Sequence, residues 1–462
     1  MNNFFECNLP RIAPDHLHYS IIPAFEAAVE NIYKRTDALN QALAISGMKP
    51  ETFQLLASDL FKREEKQYGN TAHFDAMSPE TLANYCKTVF VEDVKEDRLT
   101  FDNAVVLFDT AFATVKEWEY LRHIGIGGSD AAVIEGTSKF VTKQGLYHNK
   151  VGTPVLVNVN EDKSSVFERG HFLEDDVIGR FCAITGASRI RDTRMFRSKQ
   201  FPHCIADIDA MLRMPSGEIV LFEAKTTVLE NMDAWANEKV PAYYVTQTRH
   251  YPGVLNDDRI SRVFIGCLFT VDLSVGGKYA GSQYDASRFL SREITRDKNE
   301  EHDILANNEA FWEDYIEPGV EPAPSGNIKH DLEVIKAITG PADPKLPPMN
   351  LTTDVNKQLI QEYLELDEKA NVAKSELDAI NAQKDKIKTD FIRQLGQTVE
   401  GQVDGDEADT YYEIKYAPAS RKSTDYKTLE ALFPEAYNAC VSVDKESSRR
   451  FTIKAKKRKK AV

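Results

Sequence analysis

Two acids, Asp207 and Asp209, stand in the run Ile205-Ala206-Asp207-Ile208-Asp209, and Glu223-Ala224-Lys225 comes one short turn later. An acid, a gap and then Glu-x-Lys form a donor set for metal-assisted phosphodiester hydrolysis. Hard carboxylate oxygens suit Mg²⁺ or Mn²⁺, and an amine beside them can orient water or face charge that develops on a phosphate. Strand arithmetic brings the groups together. Cys204, Ala206, Ile208, Ala210 and Leu212 form one small or apolar face of an alternating run, and Ile219 to Thr226 is a second β-rich run. Met214-Pro215-Ser216-Gly217-Glu218 between them reads as a hairpin turn, because Pro presets φ and Gly permits positive φ. With Ser216 at the centre, Asp209 falls opposite Glu223 and Asp207 opposite Lys225. Opposed side chains have Cβ atoms roughly 5 Å apart. Two carboxylates so close repel each other unless a cation lies between them. Asp209 and Glu223 are therefore the candidate metal ligands, with the Ala224 carbonyl as a third donor. Lys225 is the candidate catalytic amine.

The elements around this ribbon add further groups. Arg122-His123-Ile124-Gly125-Ile126-Gly127-Gly128-Ser129-Asp130 is a Gly-rich turn into a short helix, with Ser129 as the expected cap and Arg122 able to neutralise a phosphate held there. Phe167 to Phe181 has the spacing of an amphipathic helix. Its buried side is expected to be Phe167, Leu173, Val177, Ile178 and Phe181, and Glu174 projects from it as an additional acid. Gln247 and Tyr251 lie four apart, on one face of a third helix.

This ordered set, Arg then Gly-Gly-Ser-Asp-Ala-Ala, Gly-x-x-Leu-Glu, Asp then Glu-x-Lys, and Gln-x-x-x-Tyr, resembles the phage lambda exonuclease family. That group includes the YqaJ-type viral recombinases and lies within the PD-(D/E)xK nuclease superfamily. The resemblance spans roughly Arg122 to Ile316. It implies an α/β (α+β) restriction-endonuclease-like core, with a central mixed sheet flanked by helices. It also implies Mg²⁺-dependent 5′-to-3′ degradation of one strand from double-stranded DNA ends, leaving 3′ overhangs for recombination. By motif, Asp209 and Glu223 become metal ligands, Lys225 the catalytic lysine, Glu174 the helix acid, and Gln247 with Tyr251 the glutamine-tyrosine motif. Arg122 and Ser129 match the residues that grip a terminal 5′-phosphate. A single-strand annealing protein and a homo-oligomer are the implied partners. The first acid departs from the common Pro-Asp-Gly, standing as Ile208-Asp209-Ala210, so Asp207 remains an alternative ligand. A metal-dependent endonuclease using the same groups, and a catalytically weak end-binding scaffold, are the alternative activities.

Composition bounds the rest. No apolar run is long enough to span a membrane and the N-terminus lacks a signal-peptide pattern, so a cytoplasmic protein is expected. The six cysteines are scattered, which speaks for reduced thiols and against zinc or a four-cysteine cluster. A net charge of −15 sits awkwardly with DNA, but eight of the twelve residues from Arg449 to Lys460 are Arg or Lys. That tail either lies on a polyanion or stays solvated.

The domain plan has five parts. Residues 1–118 form a mostly helical region without a recognised role, containing the amphipathic series Phe25, Val29, Ile32, Thr36, Leu39 and Leu43. Residues 119–316 are the nuclease-like core, and 317–350 a Pro-rich linker with a short helix near Leu332 to Ile338. Residues 351–398 carry one long heptad helix from Asp354 to Leu395, roughly 60 Å in length, ended by Gly396. Leu359, Tyr363, Leu366, Ala370, Ala373, Leu377, Ile380, Ile387 and Phe391 form its seam, interrupted at Lys384. Such a seam wants a partner helix in the same chain, a neighbouring subunit or another protein. Residues 399–462 read as a small α+β unit, with strands at Tyr411 to Tyr416 and Arg450 to Lys454 around a helix containing Pro434.

Overall fold

The structure is a computed structural model that describes residues 3–91, 94–153, 164–270, 288–325, 328–340, 345–404, 411–416 and 432–435; for 164–172, 230 and 328–330 it describes the backbone alone. The chain divides into two compact units, Met1–Gly340 and Pro341–Val462.

The first unit opens with α1 (Ile22–Ser46), α2 (Pro50–Tyr68) and α3 (Pro79–Thr88). Along α1 the expected series holds, with Phe25, Val29, Ile32 and Leu39 buried. Ser78 accepts from the Thr81 N–H to cap α3, and Pro79 fills the first turn. These helices are built into the core and do not form a domain of their own. The strand β1 (Ala104–Asp109) pairs antiparallel with β3 (Arg194–Ser198), and α1 packs on α4 (Val115–Leu121). The boundary expected at residue 118 therefore falls inside one unit, because β1 needs a ladder partner that lies beyond it.

Two sheets carry the site. The larger is mixed, in the order β2 (Ser188–Ile190), β5 (Ala210–Arg213), β6 (Ile219–Val228), β7 (Ile260–Thr270), β8 (Phe289–Ile294). Only β6 and β7 run parallel. The connection between them is α8 (Ala242–Leu255), the helical crossover that a parallel pair requires. The smaller sheet is β1, β3 and β4 (Ile205–Ala206). Alternation decides what each face meets. Ala210, Leu212, Val220 and Phe222 pack on Val177, Ile178 and Phe181 of α7 (Ser164–Thr185). Met211, Ile219 and Leu221 face Tyr251, Val254 and Leu255 of α8. A central mixed sheet lies between helices.

The hairpin register comes out as expected: Ala210 opposes Phe222 and Arg213 opposes Ile219. Gly217 has φ +88°, and the Met214 N–H donates to the Glu218 carbonyl at 2.8 Å. The run from Cys204 to Leu212, expected as one strand, is interrupted. Here β4 belongs to the smaller sheet and β5 to the larger, and the chain changes sheets across Asp207, Ile208 and Asp209. Asp207 consequently has no ladder position opposite Lys225, which corrects the pairing expected from strand arithmetic. The short segment Gly125–Ile126 lies alongside β4, with the Ile126 N–H on the His203 carbonyl and the Ile205 N–H on the Ile126 carbonyl. A Cβ at Gly125 would come within 2.7 Å of the Ile205 side chain, so this approach needs glycine.

After α9 (Lys298–Phe311) comes a wider helical turn, Trp312–Ile316, but the unit does not end there: α10 (Ile328–Thr339), inside the stretch expected as a linker, packs on α6 (Lys143–Val151), so the unit runs to Gly340. In the second unit α11 spans Asp354–Leu395, with Thr353 capping the Asn356 N–H and Gly396 closing it at φ +57°. The strands β9 (Glu400–Asp404) and β10 (Tyr411–Lys415) pair antiparallel. The side chain of Phe167, the strand expected at Arg450 to Lys454, Cys440 and the basic tail lie outside the described residues.

Candidate active site

The break between β4 and β5 shapes the site. Beyond the last ladder pair, Asp209 stays beside β6, and its Oδ2 accepts from the Ala224 N–H at 2.8 Å. In an extended strand a residue's N–H and C=O point to the same side, so the Ala224 carbonyl faces the gap that β5 leaves. Glu223 is buried on the α8 side of the sheet. Its Oε1 pairs with Lys225 Nζ and accepts from Gln247 Nε2 at 2.5 Å. Gln247 Nε2 also donates to the Tyr251 hydroxyl at 2.9 Å. The glutamine and tyrosine thus sit one helical turn apart, as expected, and Gln247, backed by Tyr251, holds the glutamate. The Tyr244 ring, one turn earlier on the same helix, lies 5.5 Å from Lys225 Nζ.

Negative charge is concentrated in the site. Burial pushes the Asp209 carboxyl well above its usual range, and repulsion from Glu223 and Glu174 adds to the rise; Lys225 offsets only part of it. Burial draws Lys225 down, but Glu223 and Asp209 more than reverse that, so its amine is held firmly protonated. Glu223 Oε2 is buried and has no hydrogen-bond partner. An orphaned carboxylate oxygen of this kind is costly unless something positive meets it. Among the described residues no three His, Cys, Asp or Glu side chains gather as a metal site. A divalent ion would therefore take Asp209, Glu223 and the Ala224 carbonyl, and complete its shell with water and phosphate oxygens. That is the ligand habit of Mg²⁺. Glu174, on α7, is close enough for its charge to raise Asp209 and Asp207.

Asp207 holds a different post. Its Oδ2 accepts from Trp118 Nε1 at 2.7 Å, and burial, reinforced by Glu174, lifts its carboxyl to about 6. The Trp118 ring carries the Arg122 guanidinium 4.7 Å from its centroid. Arg122 Nη2 reaches Ser129 Oγ at 3.4 Å, so these two expected phosphate contacts do converge. Ser129 is not the cap, however. The helix α5 (Gly128–Ile134) has Gly127 in the cap position, two residues earlier, and Asp130 Oδ2 accepts the Gly127 N–H at 2.9 Å. Gly128 lies so close to α8 that a Cβ there would stand 2.9 Å from the Tyr251 ring.

Two further residues were not among those expected. Lys150 is fully buried, with Nζ 2.6 Å from Asp130 Oδ2 and 3.3 Å from the Arg122 carbonyl. Burial draws its amine down to about 8, while Lys150 and Arg122 hold the Asp130 carboxyl below its usual value. Both remain charged at neutral pH. Arg122 Nη2 is 3.7 Å from the same carboxylate, so Lys150 shares the Asp130 charge with Arg122. Nothing in the spacing announces Lys150. Trp118 was legible in principle, standing four residues before Arg122, one helical turn away.

Residues 117–255 match a family described as the YqaJ-like viral recombinase domain. The uncharacterized protein YqaJ of Bacillus subtilis (strain 168) is 28% identical over 357 residues, which covers 77% of this chain and 99% of that protein. Among solved structures, a phage related exonuclease from Haemophilus somnus 129PT aligns with 15% identity over 42% of this chain and 95% of its own, at a TM-score of 0.28.

Proposed function

We propose that this chain, which belongs to the YqaJ-type viral recombinase family through its residues 117–255, is a metal-dependent deoxyribonuclease that degrades the 5′-ended strand of duplex DNA ends and leaves 3′ overhangs. The observation that carries this reading is the buried, unpartnered Glu223 Oε2 beside an Asp209 whose charge its own surroundings oppose. When bound between Asp209, Glu223 and the Ala224 carbonyl, Mg²⁺ or Mn²⁺ supplies the charge that makes a phosphate electrophilic and a water acidic.

The chain's own groups do the positioning. Gln247, fixed by Tyr251, holds Glu223 in one rotamer, so the ligand oxygens need no rearrangement. Lys225 sits where its ammonium can hold an attacking water in line or meet charge that builds on the phosphate oxygens. Arg122 and Ser129 grip a terminal 5′-phosphate and set the register of the cut. Glu174 adds negative charge that strengthens cation binding. A single-strand annealing protein is the partner that would receive the exposed 3′ strand.

The test uses linear duplexes with a 5′-phosphate or a 5′-hydroxyl, each end separately labelled, with Mg²⁺ or EDTA, beside a covalently closed circle. Mononucleotide release from 5′-phosphorylated ends, abolished by EDTA and absent on the circle, is the expected result. Cutting of the circle would replace this reading with an endonuclease. Equal rates on both kinds of end would remove the Arg122 and Ser129 grip.

A further inference from the structure

The helix α11 runs 42 residues and buries none of them. Its apolar residues nonetheless keep heptad order: Leu359, Leu366, Ala373, Ile380 and Ile387 recur every seven residues, and Tyr363, Ala370, Leu377 and Phe391 lie four positions after members of that series. In heptad terms the first set is d and the second a, with Asn356 and Lys384 the polar a positions. Leu359, Leu366, Leu377, Ile380 and Ile387 are all more than half exposed. Leaving such a stripe in water forgoes burial that a second helix would provide.

The flanking charges say which helix. In a parallel, in-register pair, each g residue meets the e residue five positions on in its partner. Glu362 would then face Asp367, and Lys369 would face Lys374. Like charges meet at both sites, so that arrangement is selected against. In an antiparallel pair, g meets g and e meets e. With the two-fold axis between Asn371 and Val372, Lys369 of one copy meets Glu376 of the other, and Asp367 meets Lys374, each twice by symmetry. The core layers of this register are Leu366 on Leu377, Tyr363 on Ile380 and Ala370 on Ala373. Lys384 falls on Leu359 and Asn356 on Ile387 near the ends, where polar side chains reach water. Sliding the axis to Ser375 would bring Glu376 onto Glu376 and Lys374 onto Lys374. The charges therefore select both orientation and register.

We propose that α11 is a self-association surface whose occupant is the same helix of a second copy, antiparallel, overlapping from Asp354 to Thr389. Pairing of this kind joins two copies of the chain whatever the first unit's chemistry is, so its test does not depend on nuclease activity.

The full-length chain is measured by light scattering coupled to size exclusion, with circular dichroism to monitor helix content. The wild type is expected at twice the mass of one chain. Lys369→Glu with Lys374→Glu sets acid against acid throughout, and is expected to drop the mass to a single chain. Asp367→Lys with Glu376→Lys is expected to do the same by setting base against base. Mixing these two variants restores every opposite-charge pair, so a mixed dimer is expected, detected by a tag on one of them. A parallel pair would not be weakened by the first double substitution, because its facing residues are already alike in charge. A wild-type mass of one chain, a first variant that keeps the wild-type mass, or a mixture that stays dissociated would each overturn the proposal. Since the substituted side chains are exposed, folding of the variants is not at stake.

Discussion

At the scale of single residues, the site is defined by charge that its own chain does not balance. Lys225 pairs with Glu223 and offsets only part of the repulsion at Asp209, and one glutamate oxygen has no hydrogen-bond partner. Added Mg²⁺ is expected to raise the thermal midpoint of the wild type, by about 2.7 kcal/mol of stability at a hundredfold excess over Kd. Asp209→Asn is expected to abolish that response, and to unfold no earlier than the wild type in EDTA because the repulsion is gone. Scanning calorimetry with and without the ion checks both; a Mg²⁺ response that survives in the variant would move the ligand assignment to Asp207. Lys150 makes a second residue-scale prediction. Lys150→Met leaves Asp130 to Arg122, so the preference for 5′-phosphorylated over 5′-hydroxyl ends is expected to fall by about tenfold or more, the size of one charge-assisted hydrogen bond. Lys150→Met combined with Asp130→Asn is expected to recover that preference. Rate ratios on the two ends, measured on folded protein, decide it.

Elements matter next, and α8 matters most among them. It carries Gln247, backed by Tyr251, to Glu223 and presses on Gly128. It also fixes β4, since His250 Nε2 donates to the Ile205 carbonyl at 2.8 Å while Asn308 donates to Nδ1 at 3.1 Å. Both ring nitrogens are used by the neutral form, and burial holds this imidazole down to about 4 against an ordinary 6.5. Below pH 6.5 the unfolded ring takes a proton that the folded one refuses. Stability is therefore complete above 6.5 and is lost as pH falls toward 4, by on the order of 3 kcal/mol for this ring. His16 and His123, also drawn down to about 4 by burial, act with the same sign. Urea midpoints at pH 7 and pH 4.5 should show the loss, and His250→Gln should shrink it. If His250→Gln loses as much stability between these pH values as the wild type does, the ring titrates normally.

The whole molecule poses a problem of charge. With a net charge of −15, the chain repels DNA at long range, and the run from Arg449 to Lys460 is its densest basic segment. Removing Lys456 onward deletes five cations. If the tail lies on DNA, the slope of log K against log salt should fall by up to roughly 0.9 for each phosphate that the truncated chain no longer neutralises. Filter binding at several salt concentrations measures this, and an unchanged slope would leave the tail solvated. Among the described residues no helix is long and apolar enough to cross a membrane.

Local periodicity accounts for what the residues alone made legible. The hairpin register came from alternation and a Pro-Ser-Gly turn, and α11 from its heptads and its Gly396 end, because both depend on neighbours within one turn or one ladder. The Gln247–Tyr251 contact is of the same kind. Only the tertiary structure decided that the strand breaks at Asp207 and that Trp118 takes that acid. The same is true of Asp130, rather than Ser129, tying the turn, of the buried Lys150 pairing with Asp130, and of β1 being drawn into the core. Each of these joins residues distant in the chain through burial and charge. Such terms depend on which groups share a low-dielectric neighbourhood, and no spacing along a single sequence encodes that.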